Sequence, residues 1–410
     1  MMDFFRVQTT QQVKETLKGL TPLGGEGVVL ENASGRVLAE DVICSDAFPP
    51  FDRSAMDGYA LRAKDTFGAS EGSPALLEVC GEVKMGEKPA IGVGPAGAVR
   101  ISTGGMLPEG ADAVVMVEYT QVIDERTIEV FRAVAPGENV IQQGEDIKEG
   151  ERILEKGHRL RPQDLGALAS LGRGMVRVYR RPRVGIISSG DEVVPIDSVP
   201  QGGEIRDTNR YTLWALTLEA GGEPFHFGIA KDELRDLQGK LEEGLAKSDV
   251  VVISGGSSVG TRDLTIEAIG SLAQAEILLH GVALSPGKPT ILAKVGEKVI
   301  WGLPGHPVSA MVIFITLVAP SLWRMGGRKD WDTPYPWTLR AKASRNIPSA
   351  QGREDYVRVK FALEGDELVA VPIFGKSGSI STMVKGDGLL RVEMDSEGVE
   401  EGEEVEVWPF

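Results

Sequence analysis

Residues 249–263 read DVVVISGGSSVGTRD, and no other stretch narrows the fold as far. Val250 to Ile253 form a short β-branched run of the kind that fills a strand buried on both faces. The run ends in Ser254-Gly255-Gly256-Ser257-Ser258-Val259-Gly260. Small side chains leave the backbone N–H groups of such a loop able to close around phosphate oxygens. Asp263 follows at once. A carboxylate beside a phosphate cradle suits Mg²⁺, which takes oxygen ligands and bridges phosphates. Taken alone, a glycine-rich turn after a strand is more often just a turn.

The arrangement recurs nearby. Residues 183–192, RVGIISSGDE, are an apolar run, a small-residue turn, then Asp191 and Glu192. Residues 298–309, KVIWGLPGHPVS, are an apolar run and a Pro/Gly loop ahead of a long apolar helix. Three strand ends with open loops predict an open, mostly parallel α/β sheet with its ligand outside the carboxyl ends of the strands. The competing reading is three ordinary βα turns in a structural domain.

Around this centre the chain divides. Residues 9–20 have the pattern of a short helix, and AFPPFDRSAMDGYAL is a Pro- and Gly-rich entry into a new unit. Residues 49–136 carry short β-type runs between turn signals and predict a β-rich domain. Residues 1–48 and 137–178 are assigned to a small discontinuous N-terminal and linker domain, and 179–325 to the α/β domain, where strands alternate with helical patterns. The apolar helix is expected to end near Pro320, too short to span a bilayer and therefore buried. Residues 335–410 alternate apolar and polar positions and predict a C-terminal β barrel.

At 410 residues, several domains are expected. The formal net charge of −16 argues against nucleic acid as a partner, because its phosphate backbone demands a basic surface. Cys44 and Cys80 show no pairing or CxxC pattern, and the four histidines lack ligand spacing, so no disulfide framework or zinc site is expected. The first residues, MMDFFRVQTT, lack the layout of a signal peptide. A cytoplasmic protein without a membrane span is the expectation.

Several loops hold candidate chemistry, each with a plainer reading beside it. The loop from Pro49 to Ala60 gathers Asp52, Arg53 and Asp57 on a Pro-stiffened segment; it is a functional loop or a domain hinge. Residues 102–105, STGG, offer donors to an oxyanion or make a β-turn. Asp146 holds a cation or caps a turn. Pro286-Gly287-Lys288-Pro289 presents one lysine on a stiff turn, suited to an oxyanion or simply solvated. Arg358 binds an anion or pairs with an acid. Ser377-Gly378-Ser379 is a nest or a loop. His306 is a base or a structural loop histidine.

Taken in order, PPFDRSAMDGYA, STGG, GEDI, SSGDEV, RDTNR, SGGSSVGTRD, SPGKP, GLPGHPVSA and DYVR resemble the molybdopterin molybdenumtransferase family, which includes the C-terminal domain of gephyrin. The match runs over nearly the whole chain. The resemblance implies an elongated four-domain homodimer that takes adenylylated molybdopterin and molybdate. With Mg²⁺ it would release AMP and insert the metal into the dithiolene, giving molybdenum cofactor. The cleft would lie between the α/β domain of one subunit and the β-rich domain of the other.

Carried over by motif, the catalytic set is Asp57, Asp146, Glu192, Asp232 and Asp263. Asp57, Thr103 and Asp146 would come from the second subunit's side, and Glu192 and Asp263 would partner Mg²⁺. Ser254, Gly255, Gly256 and Ser257 would cradle the substrate. Pro304 and Pro307 would shape the loop beneath the pterin. Lys288, Ser309, Arg358 and Ser377 would hold the oxyanion, which as a tetrahedral dianion wants cations and hydroxyl donors. The resemblance also implies transient contact with molybdopterin adenylyltransferase and with molybdoenzymes.

Two positions depart from the family. Ser285 stands where a lysine usually precedes Pro-Gly-Lys-Pro, and His306 stands where asparagine is usual in GLPGxPVSA. Loss of a cation would weaken molybdate binding or change oxyanion preference, so a tungstate-inserting homologue remains open. A molybdopterin adenylyltransferase and a non-catalytic scaffold also fit parts of the pattern. The extra SAMDGYA domain speaks against the adenylyltransferase. The carboxylates at the phosphate loops speak against the scaffold.

Overall fold

The computed structural model describes residues 7–255, 259–333 and 338–410. Strands Glu223–Ala230, Arg183–Ser189, Val250–Ser254 and Lys298–Leu303 lie side by side in parallel, in that order. Ile291–Val295 and Ala275–His280 extend the same sheet in antiparallel pairing. The mixed edge follows from local sequence. Gly296 and Glu297 form a two-residue turn with Gly296 at φ +59°, which folds the chain straight back on itself.

The central strand Val250–Ser254 is buried throughout. Its alternation feeds two cores. Val250 and Val252 face Leu213, Phe314 and Trp301 on one side. Val251 and Ile253 face Leu237, Leu241 and Ala268 on the other. Each fully buried Val or Ile contributes about 1.5–3 kcal/mol by this burial, so the strand that ends in the glycine loop is firmly anchored.

The apolar helix runs further than the sequence suggested. It spans Pro307–Met325 and passes through Pro320 instead of ending there. A π-helical stretch at Phe314–Val318 precedes the proline. Proline lacks the N–H that would bond back four residues, and a widened turn accommodates that loss without a break. The helix is long and apolar enough to cross a membrane, yet 83% of its most apolar window is buried inside the protein. It is a core helix.

The β-rich domain is a curled six-stranded sheet in the order Ala113–Met116, Gly58–Leu61, Gly97–Ile101, Ala75–Glu82, Thr127–Val130, Thr120–Val122. Near the C-terminus five strands close into a barrel, Glu354–Glu364 pairing with both Glu367–Pro372 and Gly388–Val392. Closure removes the exposed edges that an open sheet would leave. Leu284–Ser285 adds to Glu354–Asp355 and stitches the α/β domain to the barrel. The helix Thr10–Leu17 packs Val13 and Leu17 into the α/β core, and Thr10 Oγ1 donates to Glu354 of the barrel at 2.7 Å. A smaller core of Leu38, Leu160, Leu168 and Val178 joins the flanking segments of the N-terminal region. There Asp164 is buried between His158 and Arg161.

Candidate functional site

The parallel strands of the α/β domain end together, and a cleft of about 180 Å³ opens there. Ser188, Ser189, Glu192, Asp207, Asn209, Ser254 and Gly255 line it, with His306 and Pro307 on the far side. Gly255 sits at φ +146°, and a Cβ on it would lie 2.1 Å from the carbonyl oxygen of Ser189. Only glycine lets the two strand ends approach this closely. Gly190, at φ +141°, leaves space that the Glu192 carboxylate occupies; a Cβ there would lie 2.6 Å from Glu192 Oε2.

The cleft wall is polar and unsatisfied. Ser188 Oγ, Asp207 Oδ2, Asn209 Oδ1 and Ser254 Oγ are buried and have no hydrogen-bond partner among the described residues. Buried polar groups are ordinarily paired, since an unpaired one costs about 1–3 kcal/mol. Four of them around one opening leave hydrogen-bonding capacity there for a polar ligand. Asp207 shows how the chain builds this. Its Oδ1 accepts from Arg210 N at the start of the helix Asn209–Glu219, leaving Oδ2 for the cleft. Asn209 Nδ2 donates to the Gly305 carbonyl, leaving Oδ1.

Carboxylates crowd beside this wall. Burial raises the pKa of Asp232, and the neighbouring Asp191 and Glu192 charges push it up further, against the lowering effect of a hydrogen bond from the Asp191 backbone. In return the Asp232 backbone N–H donates to Asp191 Oδ1 at 3.2 Å. Such like-charge crowding fits a cation. Among the described residues no three His, Cys, Asp or Glu side chains close into a cage. Mg²⁺ is commonly held by one or two carboxylates plus substrate phosphates, so the donor set fits it. Asp263 is exposed on the helix Val259–Gly270. Gly256 and Ser257 lie outside the described residues.

A second cleft, of about 560 Å³, lies between the α/β domain and the barrel. Lys288, Pro304, Ser309 and Ser377 line it together with Ser285, His306 and Arg353. Three of the four residues assigned to the oxyanion therefore share one opening. Arg358 is not among its lining. It is buried on the barrel strand Glu354–Glu364, where burial lowers its pKa, and its Nη2 donates to the Gly375 carbonyl at 2.9 Å. Its contact supports the loop that carries Ser377.

The third group sits on the β-rich domain. Asp57 Oδ1 accepts from Thr103 N at 2.7 Å and from Thr103 Oγ1 at 2.9 Å. These bonds, the backbone one first, hold its pKa below the usual carboxylate value. Ser54 exchanges backbone bonds with Gly104 and Gly105. Asp52 accepts from Gln143 N, and Asp146 N donates to the Phe48 carbonyl. The loops bearing Asp57, Thr103 and Asp146 thus converge on one end of that domain. None of the three residues lines either cleft.

Sequence reasoning singled out neither Asp207 and Asn209 nor Ser188 and Arg353. The run RDTNR ahead of a helix was the available signal for the first two. Its buried, half-satisfied side chains appear only once the strand ends are assembled.

Strand-end clefts on an α/β domain, flanked by a curled β-rich sheet and a closed barrel, define a class of multidomain α/β protein. Similarity to known proteins places it further. Residues 7–172 match the MoeA N-terminal region (domain I and II), 185–324 a probable molybdopterin binding domain, and 340–410 the MoeA C-terminal region (domain IV). A molybdopterin molybdenumtransferase from Haemophilus influenzae is 36% identical, with 95% of this chain and 95% of that protein covered. Another, from Bacillus subtilis, is 34% identical over 93% of this chain and 89% of that protein. The crystal structure of a molybdopterin biosynthesis MoeA protein from Pyrococcus horikoshii OT3 superposes with a TM-score of 0.85 at 33% identity, covering 99% of this chain and 100% of that one. The chain belongs to the molybdopterin molybdenumtransferase (MoeA) family of enzymes.

Proposed function

We propose that this protein inserts molybdate into molybdopterin, taking the adenylylated pterin as substrate and releasing AMP with Mg²⁺. The observation that carries the reading is the set of unpaired buried polar atoms at the strand ends, Ser188, Asp207, Asn209 and Ser254, in a cleft that shares His306 with the one holding Lys288, Ser309 and Ser377. The polar set suits a pterin or nucleotide with many donors and acceptors. The second cleft suits a tetrahedral dianion.

Glu192 and Asp263 would hold the cation, with Asp232 beside Glu192. When bound, Mg²⁺ would neutralise the charge of the phosphoanhydride. The chain's own residues do the rest. Gly255 lets backbone approach the phosphates, and Asp207 and Asn209 accept from the heterocycle. Lys288 and the serine hydroxyls hold the oxyanion at the pterin's reacting end. Pro304 and Pro307 keep the intervening loop rigid.

The protein acts as a homodimer in this reading, in the cytoplasm. Asp57 and Thr103 line neither cleft of their own chain, so a second copy would bring them to the α/β side. The helix Asn209–Glu219 supports this, because Tyr211, Trp214 and Leu218 form an exposed apolar stripe at helical spacing. Light scattering at micromolar concentration should give a dimer mass, and a monomer would sink the shared cleft. The same reading implies transient contact with the adenylyltransferase that makes the substrate and with the molybdoenzymes that receive the product.

AMP release from adenylylated molybdopterin, measured with Mg²⁺ and either molybdate, tungstate or no oxyanion, tests the function. Release stimulated by molybdate supports it, stimulation by tungstate alone changes the metal, and no release under any condition rejects it.

A further inference from the structure

Among the described residues, His306 is the one that borders both clefts. It precedes the core helix and is held in place from the barrel side. Its Nδ1 lies 2.8 Å from Ser377 Oγ, and the Ser377 carbonyl accepts from Val308 N. With Nδ1 engaged, Nε2 is the ring nitrogen left, and it makes no hydrogen bond among the described residues. A serine hydroxyl both donates and accepts, so Ser377 can partner Nδ1 whether the ring is neutral or protonated. When the Ser377 hydroxyl donates to Nδ1, the neutral ring carries its proton on Nε2, which is then a donor toward the cleft.

The second cleft is short of charge. Its lining cations are Lys288 and Arg353, and Arg353 Nε is 3.3 Å from the Asp355 carboxylate. Position 285, in the same lining, is a serine. On the other side of His306, the first cleft presents Glu192, Asp207 and Arg206, and Lys376 adjoins Ser377.

Resting on the oxyanion reading of this cleft, we propose that His306 is an oxyanion-binding residue, donating through Nε2 beside Lys288. The oxyanion is then held by one lysine and one imidazole N–H, in contrast to a site built on lysines alone.

Molybdate titrated calorimetrically into the full-length protein tests this. His306→Phe and His306→Ala should each raise the dissociation constant about tenfold, because a donor to a charged group is lost. His306→Gln keeps an N–H donor and should retain most of the affinity, which separates the lost donor from a disturbed loop. Ser285→Lys should bind more tightly than the wild type, and added to His306→Ala it should restore the loss. Unchanged affinity in both His306→Phe and His306→Ala would overturn the role of His306 alone. No molybdate binding by wild type and Ser285→Lys alike would overturn the oxyanion reading of the cleft, and this proposal with it.

Discussion

Asp57 and Asp232 are carboxylates assigned to the same chemistry, and their surroundings are opposite. On the β-rich domain, Asp57 is exposed and already satisfied by the Thr103 N–H and hydroxyl, which hold it as an anion. On the α/β domain, Asp232 is raised by burial and by the Asp191 and Glu192 charges. Its neighbours across the strand ends are buried polar atoms without partners among the described residues. The β-rich end is a finished group ready to be presented to something else. The α/β end carries electrostatic and hydrogen-bonding costs that, under the proposed function, a cation and a polar ligand would relieve. Strain and unpaired polarity of this kind collect at functional sites.

The comparison can be broken most directly at Gly255. Gly255→Ala forces a Cβ onto the Ser189 carbonyl at a φ that alanine rarely adopts. Loss of AMP release and a fall of roughly 2–3 kcal/mol in stability are expected. A variant that melts like the wild type and retains turnover would show that the strand ends are not packed as described.

Next in size, Glu192→Gln and Asp263→Ala should each lower Mg²⁺-dependent AMP release by about 10²–10³-fold with no loss of folded protein by circular dichroism. Near wild-type turnover in either would remove that residue from the cation site. Mg²⁺ should also raise the melting temperature of the wild type, by roughly 2–4 °C, but not that of Glu192→Gln. An equal rise in both would place the ion elsewhere.

On the β-rich side, Thr103→Val removes the hydroxyl donor to Asp57 but keeps the backbone one. Turnover about tenfold lower is expected, since a single positioning hydrogen bond is lost. Full activity would make that contact a local turn.

The smallest effect is one of pH. Asp57 has a depressed pKa, so its stabilising contribution is present above the ordinary carboxylate range and disappears as pH falls through the lowered value. Asp232 has a raised pKa, so its penalty is absent in acid and sets in as pH rises through that value. Asp232→Asn should therefore raise stability slightly at neutral pH, by about 0.5 kcal/mol or less after solvent screening, and leave it unchanged in acid, as thermal melts at the two pH values would show. A stabilisation that persists in acid would show that charge is not its cause.

Much of the fold was legible in the sequence because it rests on local patterns. The β-branched run before the glycine loop predicts the central strand Val250–Ser254, and the pattern of residues 9–20 predicts the short helix found at Thr10–Leu17. Where local pattern and packing disagreed, packing prevailed. Pro320 signals a helix end, yet the surrounding core keeps the helix going to Met325 through a π turn. Gly296 and Glu297 turn an otherwise parallel sheet antiparallel at one edge. The site was legible as loops and not as a geometry. Lys288, Ser309, Arg358 and Ser377 stand out by residue type, whereas only the structure shows that Arg358 Nη2 donates to the Gly375 carbonyl while its buried Nε has no partner among the described residues.

The sequence by itself determined which segments become strands, which loops carry glycine, and which motifs place the chain in its family, because these depend on neighbours a few residues apart. Tertiary structure alone decided that residues 188, 207, 209 and 254 leave unpaired atoms around one opening, and that His306 meets Ser377 across 71 positions of chain. Those facts depend on how distant segments pack, and hydrogen-bond satisfaction in a core can be counted only after packing is complete.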